Sequence, residues 1–348
     1  MSRIIVDSLR GNSASSDAIS LANDGTCTAN ITNNLSNRRI NQNGQMSVAQ
    51  RGTSITSQGY TPDRYYQKFS DAGSITHTIS QQSLTSSDTP YSLGFRYYQR
   101  HALSAAGTAN ANASLYTQHT IEAQDMAQSG WDYTSSSSYL SISFWVRVST
   151  SQKFYLNLRT RDGTSQAYNI PFTPSANTWT KVTAQVPGNS NLQFDTDNDK
   201  GLHLNFYKFL GTDDSGGSSE NAWAAYSGTA KVPDMASTWL TAGASTFDLT
   251  GLQVEVGSNS TDYEFRRYAD ELRSCQRYFF RDNTARYHYG SYGNEHYDFP
   301  VTLRANPTVT LLSVPSGGSV NRARPNWVTI VGMASNQGNI EVTADAEL

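Results

Sequence analysis

Leu140-Ser141-Ile142-Ser143-Phe144-Trp145-Val146-Arg147-Val148 alternates between apolar and other residues almost without a break. A period of two belongs to a strand, whose successive side chains point to opposite faces. The phase places Leu140, Ile142, Phe144, Val146 and Val148 on the buried face. Four further runs, at 154–161, 179–186, 202–210 and 249–256, read as strands as well. Long loops rich in Ser, Gly and Asn separate them, with no helical spacer. Strands joined in this way pair antiparallel, so the expected fold is mainly β, an antiparallel β-sandwich of jelly-roll type.

Composition agrees with that reading. At roughly 150 residues per domain, 348 residues predict two or three domains. Only 37% of residues are hydrophobic and 16% charged, yet aromatics reach 11%, too many for a disordered chain. This balance suits β-sandwiches with polar loops and excludes a helical bundle. A net charge of −3 supplies no electrostatic drive toward nucleic acid or an anionic membrane. No apolar run reaches the length of a membrane span, and the start, Ile4-Ile5-Val6-Asp7, is no secretory signal. Cys27 and Cys275 lie at opposite ends of the chain and read as two lone buried thiols.

Outward from the central strands, four segments are expected. Residues 1–36 contain two short strands, Ile4-Ile5-Val6 and Ala18-Ile19-Ser20-Leu21, and are too polar to own a core, so they read as a docking segment that needs a partner surface. Residues 37–262 form the sandwich. In its opening stretch, Ile40, Met46 and Val48 share an apolar face around a tight Asn43-Gly44 turn. Residues 263–281 are a connecting helix, because Phe265, Tyr268, Leu272, Cys275 and Phe279 recur at spacings of three and four. That stripe caps the sandwich or forms a seam between copies of the chain. Residues 282–348 form a small C-terminal β module with strands at 308–312 and 327–331.

Catalytic signatures are absent: no P-loop, GxGxxG, HExxH, GxSxG or CxxC occurs. His288 and His296 are only a loose pair, and 195–199 (Asp-Thr-Asp-Asn-Asp) lacks the Gly and Glu of a calcium loop, since Lys200 and Phe206 take those places. No enzyme, cofactor or metal site is expected. What remains is aromatic residues on polar loops: Trp131 and Tyr133, Trp223 and Tyr226, and the cluster Tyr287, His288, Tyr289, Tyr292, His296 and Tyr297. Each ring packs either on its own sandwich, at a subunit seam, or against a sugar ring. The candidate ligand-binding residues are Trp223, Tyr226, Tyr289, Tyr292 and His296.

Several motifs together carry a family resemblance. They are Asn41-Gln42-Asn43-Gly44, Ala49-Gln50-Arg51-Gly52-Thr53, Asp63-Arg64-Tyr65, Ser143-Phe144-Trp145-Val146-Arg147 and Trp179-Thr180-Lys181-Val182. The densest block is Leu249-Thr250-Gly251-Leu252-Gln253-Val254-Glu255-Val256-Gly257, followed by Tyr263-Glu264-Phe265-Arg266 and Cys275-Gln276-Arg277-Tyr278-Phe279. Across about residues 37–312 the chain resembles a jelly-roll module of tailed-bacteriophage structural and tail-fibre proteins. Tyr65 stands where that family commonly has Trp. The resemblance implies a non-enzymatic virion protein, made in the bacterial cytoplasm, with a lectin-like sandwich similar to carbohydrate-binding modules. Its implied partners are other virion proteins (tail hub, adaptor or capsid), host-surface polysaccharide and two further copies of itself, as a homotrimeric tail fibre or tail appendage. A head or collar decoration with a purely structural sandwich is the alternative, and a polysaccharide-degrading tailspike a more distant one.

Overall fold

A computed structural model of the chain describes residues 6–15, 17–21, 23, 27–29, 37–282, 286–288, 293–333 and 338–348. Two antiparallel sheets face each other. One has six strands in the spatial order Thr180–Pro187, Tyr139–Val148, Thr246–Val256, Tyr97–Leu103, His77–Ser83 and Ser54–Ile55. The other has seven, in the order Trp223–Ala225, Gln166–Phe172, Phe154–Thr160, Lys200–Leu210, Ser114–Glu122, Tyr65–Ser70 and Gly59–Tyr60. The chain crosses between the sheets repeatedly, so strands distant in sequence become neighbours, as the jelly-roll reading requires.

The Tyr139–Val148 strand lies second from the edge and sets the core. All five predicted inward residues are buried, and the Phe144 ring meets Phe172 and Phe206 of the opposite sheet at 5.2 and 5.1 Å. Leu156, Leu158, Leu202, Leu204, Leu249, Leu252 and Val254 complete this layer. Each fully buried aliphatic or aromatic side chain contributes about 1.5–3 kcal/mol by leaving water. A separate core, built on Phe280, Tyr297, Phe299, Val328, Ile330 and Val342, belongs to the C-terminal module.

Two local expectations need correction, and a third stretch keeps its turn outside any strand: across residues 38–50, Met46 N donates to Asn43 O at 2.9 Å and closes the expected Asn43-Gly44 turn. Asn43 and Met46 take left-handed φ angles of 51° and 59°, and the Asn43 side chain accepts from Val48 N and donates to the carbonyls of Val48 and Asp63. Side-chain bonds here satisfy the backbone in place of a ladder, although Met46 and Val48 are buried as expected.

The helix is shorter than its apolar spacing implies, running only over Tyr268–Gln276. Arg267 is extended (φ −61°, ψ 143°), which leaves Phe265 outside the helix, and Phe279 belongs to the strand Phe279–Arg281. The buried helical side chains are Glu271 and Cys275, whereas Leu272 is half-buried and Tyr268 is 59% exposed. The expected five-residue stripe is therefore broken between three local structures. Cys275 is a free, buried thiol as expected, and the side chain of Cys27 lies outside the described residues.

In the N-terminal segment a three-stranded antiparallel sheet joins Ser8–Leu9, Ile19–Leu21 and Cys27–Ala29. The first strand thus lies beyond the expected 4–6, of which only Val6 is described. Leu9 and Leu21 remain 50% and 43% exposed.

A polar junction ties the helix and C-terminal module to the sandwich. Buried Arg39 donates to buried Glu271, whose other oxygen accepts Asn43 N. Glu264 accepts the backbone N–H groups of Asn37 and Arg39 at 2.6 and 2.7 Å. Arg64 pairs with Glu347 and lies 3.3 Å over the Tyr278 ring, while Arg51 reaches Asp345 and Glu347 and covers Phe279 at 3.6 Å. Arg277 grips Glu122 through two bonds of 2.7 and 2.8 Å. Gly44 is held here by close approach, since a Cβ would stand 2.0 Å from the Leu252 carbonyl oxygen.

Candidate functional site

The outward parity of the Tyr139–Val148 strand builds a groove with aromatic walls. Phe144 and Val146 point inward, so Trp145 and Ser143 point away from the core, and Lys181 stands directly across from Trp145 on the edge strand. On the other side the register shifts between Ser143 and Trp145, because the Thr246–Val256 strand carries an extra residue. Gly251 takes φ +67° in this bulge, and a Cβ there would meet Phe95 at 2.9 Å and Trp145 at 3.1 Å. The bulge thus lets two rings close over bare backbone.

Phe95, Tyr263 and Phe265 form a wall, each pair with centroids 4.8–5.1 Å apart. Leu93, 52% exposed, forms the rim, and Phe265 is 45% exposed. The result is a groove of about 350 Å³, lined by Leu93, Phe95, Trp145, Tyr263 and Phe265 with Ser143, Lys181 and Asp262 as polar members. Lys181 and Asp262 have no ion-pair partner among the described residues, which leaves both for a ligand. Rings that offer faces beside a hydroxyl, an ammonium and a carboxylate suit a ligand with apolar faces and hydroxylated edges.

The structure scatters the residues expected from sequence to bind ligand. Trp223 packs beside Tyr168 on the core side of the seven-stranded sheet, with ring centroids 5.3 Å apart, and its Nε1 donates to Pro187 O at 2.7 Å. Tyr226 lies on that sheet's other side, 3.5 Å from the Arg159 guanidinium. These two rings therefore share no face. Tyr289 and Tyr292 lie outside the described residues. His296 stacks near Trp327 at 5.0 Å and bonds Asp298 at 3.1 Å, while its neighbour Tyr297 is buried in the module core. Trp131 and Tyr133 pack with Phe194 against the main core. Phe265 does line the groove, although sequence placed it on a helix that caps the sandwich or forms a seam between copies. Trp145, Phe95 and Tyr263 were missed, and a Trp at outward parity in a well-phased strand was the available signal.

One cluster of titratable side chains is sealed inside the sandwich. His77 Nε2 meets His101 Nδ1 at 2.9 Å, His101 Nε2 meets Thr117 Oγ1 at 2.9 Å, and Lys208 Nζ donates to Thr117 Oγ1 at 2.6 Å. All four are buried. Burial, reinforced by the Lys208 charge, pushes His77 down to about 3 and His101 well below its usual value, and burial pushes Lys208 well below its usual range. Buried in this way, these groups bear on stability and not on ligand chemistry. Among the described residues no group of three or more His, Cys, Asp or Glu is placed to hold a metal ion.

No protein-family description matches the chain, and no curated protein matches it. Among solved structures, a CBM4 structure is 11% identical and covers 62% of this chain and 98% of its own, with a TM-score of 0.30. A putative sugar-binding protein from Bacteroides thetaiotaomicron is 10% identical, covering 63% and 100%, with a TM-score of 0.34. The family 11 carbohydrate-binding module of a Clostridium thermocellum cellulosomal cellulase is 9% identical, covering 60% and 98%, with a TM-score of 0.27.

Proposed function

We propose that this chain is a non-enzymatic glycan-binding subunit of a phage virion, a tail-fibre or tail-appendage protein acting as a homotrimer. The observation that carries the glycan part is the Trp145 groove, where half-buried Trp145 and 45%-exposed Phe265 stand beside the unpaired Lys181 and Asp262. Sugar rings stack their apolar faces on such rings while their hydroxyls bond the charged rim. The virion part rests on the sequence resemblance of residues 37–312. It is supported by an N-terminal sheet whose Leu9 and Leu21 stand in solvent on a segment too small for its own core. Several copies on one particle multiply weak single-site binding.

Glycan-array binding by the full chain, repeated with Trp145→Ala and Phe265→Ala together, tests the reading. The wild type is expected to retain defined glycans and the double variant to lose them. Undiminished retention by a folded double variant would remove the groove from the binding role.

A further inference from the structure

The outer face of the seven-stranded sheet, across the sandwich from the Trp145 groove, carries a second set of unsatisfied groups. Along the Phe154–Thr160 strand, Leu156 and Leu158 point into the core, so Arg159 points outward and Arg161, two residues on, shares its side. Arg161 N donates to Gly201 O at 2.9 Å, which keeps it in the ladder. The cross-strand partner of Arg159 is His203, and the partner of His203 is Thr120. Arg159, His203 and Thr120 therefore form one transverse row, with Asn157, Asn205 and Gln118 as the row beside it.

Three nitrogens in this patch, Arg159 Nε, Arg161 Nε and His203 Nε2, are buried without a hydrogen-bond partner. Neither arginine pairs with a carboxylate among the described residues. Asp162, next in the chain, accepts the backbone N–H of Asp195. Tyr226 occupies one face of the Arg159 guanidinium at 3.5 Å, which orients the plane and leaves its edge donors unspent. Burial, together with Arg161, Arg159 and Lys200, holds His203 down to about 3, so its imidazole is neutral at ordinary pH. Buried donors without partners cost free energy, and two guanidinium groups beside a neutral imidazole match a planar anion.

We infer that Arg159, Arg161 and His203 form a binding site for the carboxylate of an acidic sugar, with the Tyr226 ring beside it. The site is separate from the Trp145 groove and rests on the glycan reading only for the carrier of the carboxylate. The arginines grip the carboxylate through their edge donors, and Gln118, whose amide donates to Thr120, flanks them in the next row with its carbonyl oxygen.

Calorimetric titration of the full chain with tetragalacturonate and with the neutral galactose tetramer tests this. The acidic oligomer is expected to bind, more weakly as salt is added, and the neutral one not to bind at this face. Arg159→Gln and Arg161→Gln should each lower affinity for the acid about tenfold, while leaving retention of neutral glycans by the groove and the melting temperature unchanged. Equal binding of acidic and neutral oligomers by the chain carrying Trp145→Ala and Phe265→Ala, no binding of the acid by the wild type, or unaltered affinity when Arg159→Gln and Arg161→Gln are combined would each overturn the site. Loss of groove binding in the Trp145 variants, by contrast, leaves this result untouched, so the two readings fail separately.

Discussion

The polar junction and the Trp145 groove are built from adjoining stretches of the same chain, and they use them in opposite ways. Glu264 is turned inward and accepts two backbone N–H groups, whereas Phe265, its neighbour, is nearly half exposed on the groove wall. At the junction the charges are buried and matched, as with Arg39 to Glu271 and Arg64 to Glu347. Matched burial demands one partner at one place, because a lone buried charge is costly. The groove has no such demand, since its rings touch each other and leave Lys181 and Asp262 unpaired. Both kinds of residue fall within the same short motifs, so the difference between them lies in how the fold partners each side chain.

The contrast is broken most severely at the junction. Arg39→Ala strands buried Glu271 and should cost about 3–5 kcal/mol in denaturant unfolding; a loss below about 1 kcal/mol would mean the charges are not buried as described. Phe144→Ala should cost a similar 3–5 kcal/mol, roughly, by leaving a cavity between Phe172 and Phe206, and a melting temperature almost unmoved would refute the phase of its strand.

The sealed cluster gives an intermediate effect of opposite sign. Lys208→Met removes the cost of burying an amine whose pKa burial lowers well below its usual range, and should stabilise the fold, read as a raised denaturant midpoint. The same physics sets an acid limit. His77 is held at about 3 when folded against 6.5 when unfolded, so the unfolded chain binds more protons between those values. Stability is then full above about pH 6.5 and falls as pH drops toward 3. A pH series of denaturant melts that is flat across this window would contradict the burial of His77. At the small end, Trp145→Ala should change stability by less than about 1 kcal/mol while abolishing glycan retention, which is the sharpest form of the difference between groove and junction. A melting temperature that falls as far as in Arg39→Ala would erase that difference.

Local pattern was enough for the five strands with the clearest alternation or apolar runs, but not for those at 65–70, 77–83, 97–103, 114–122 and 166–172. In 140–148 the alternation alone identified five buried residues, because a pleated strand lets side chains obey only two directions. The same parity turns Trp145 outward, so one groove residue was legible from alternation. Spacing failed where it assumed one conformation throughout. Phe265, Tyr268 and Phe279 fit a helical repeat, but Arg267 is extended and Phe279 starts a strand, and periodicity cannot register that change.

By itself, the sequence determined a mainly β antiparallel sandwich, the phase of the central strand and a chain poor in catalytic motifs. Those follow from period, composition and turn residues, which act between near neighbours. Only the tertiary structure decided which rings meet and which charges pair. Arg39 and Glu271 lie 232 positions apart, and Phe95, Trp145 and Tyr263 come from three separate stretches. Their meeting depends on the order of strands in two sheets and on the extra residue at Gly251. Folding sets such contacts through the loss of water from the whole core, so no local stretch encodes them alone.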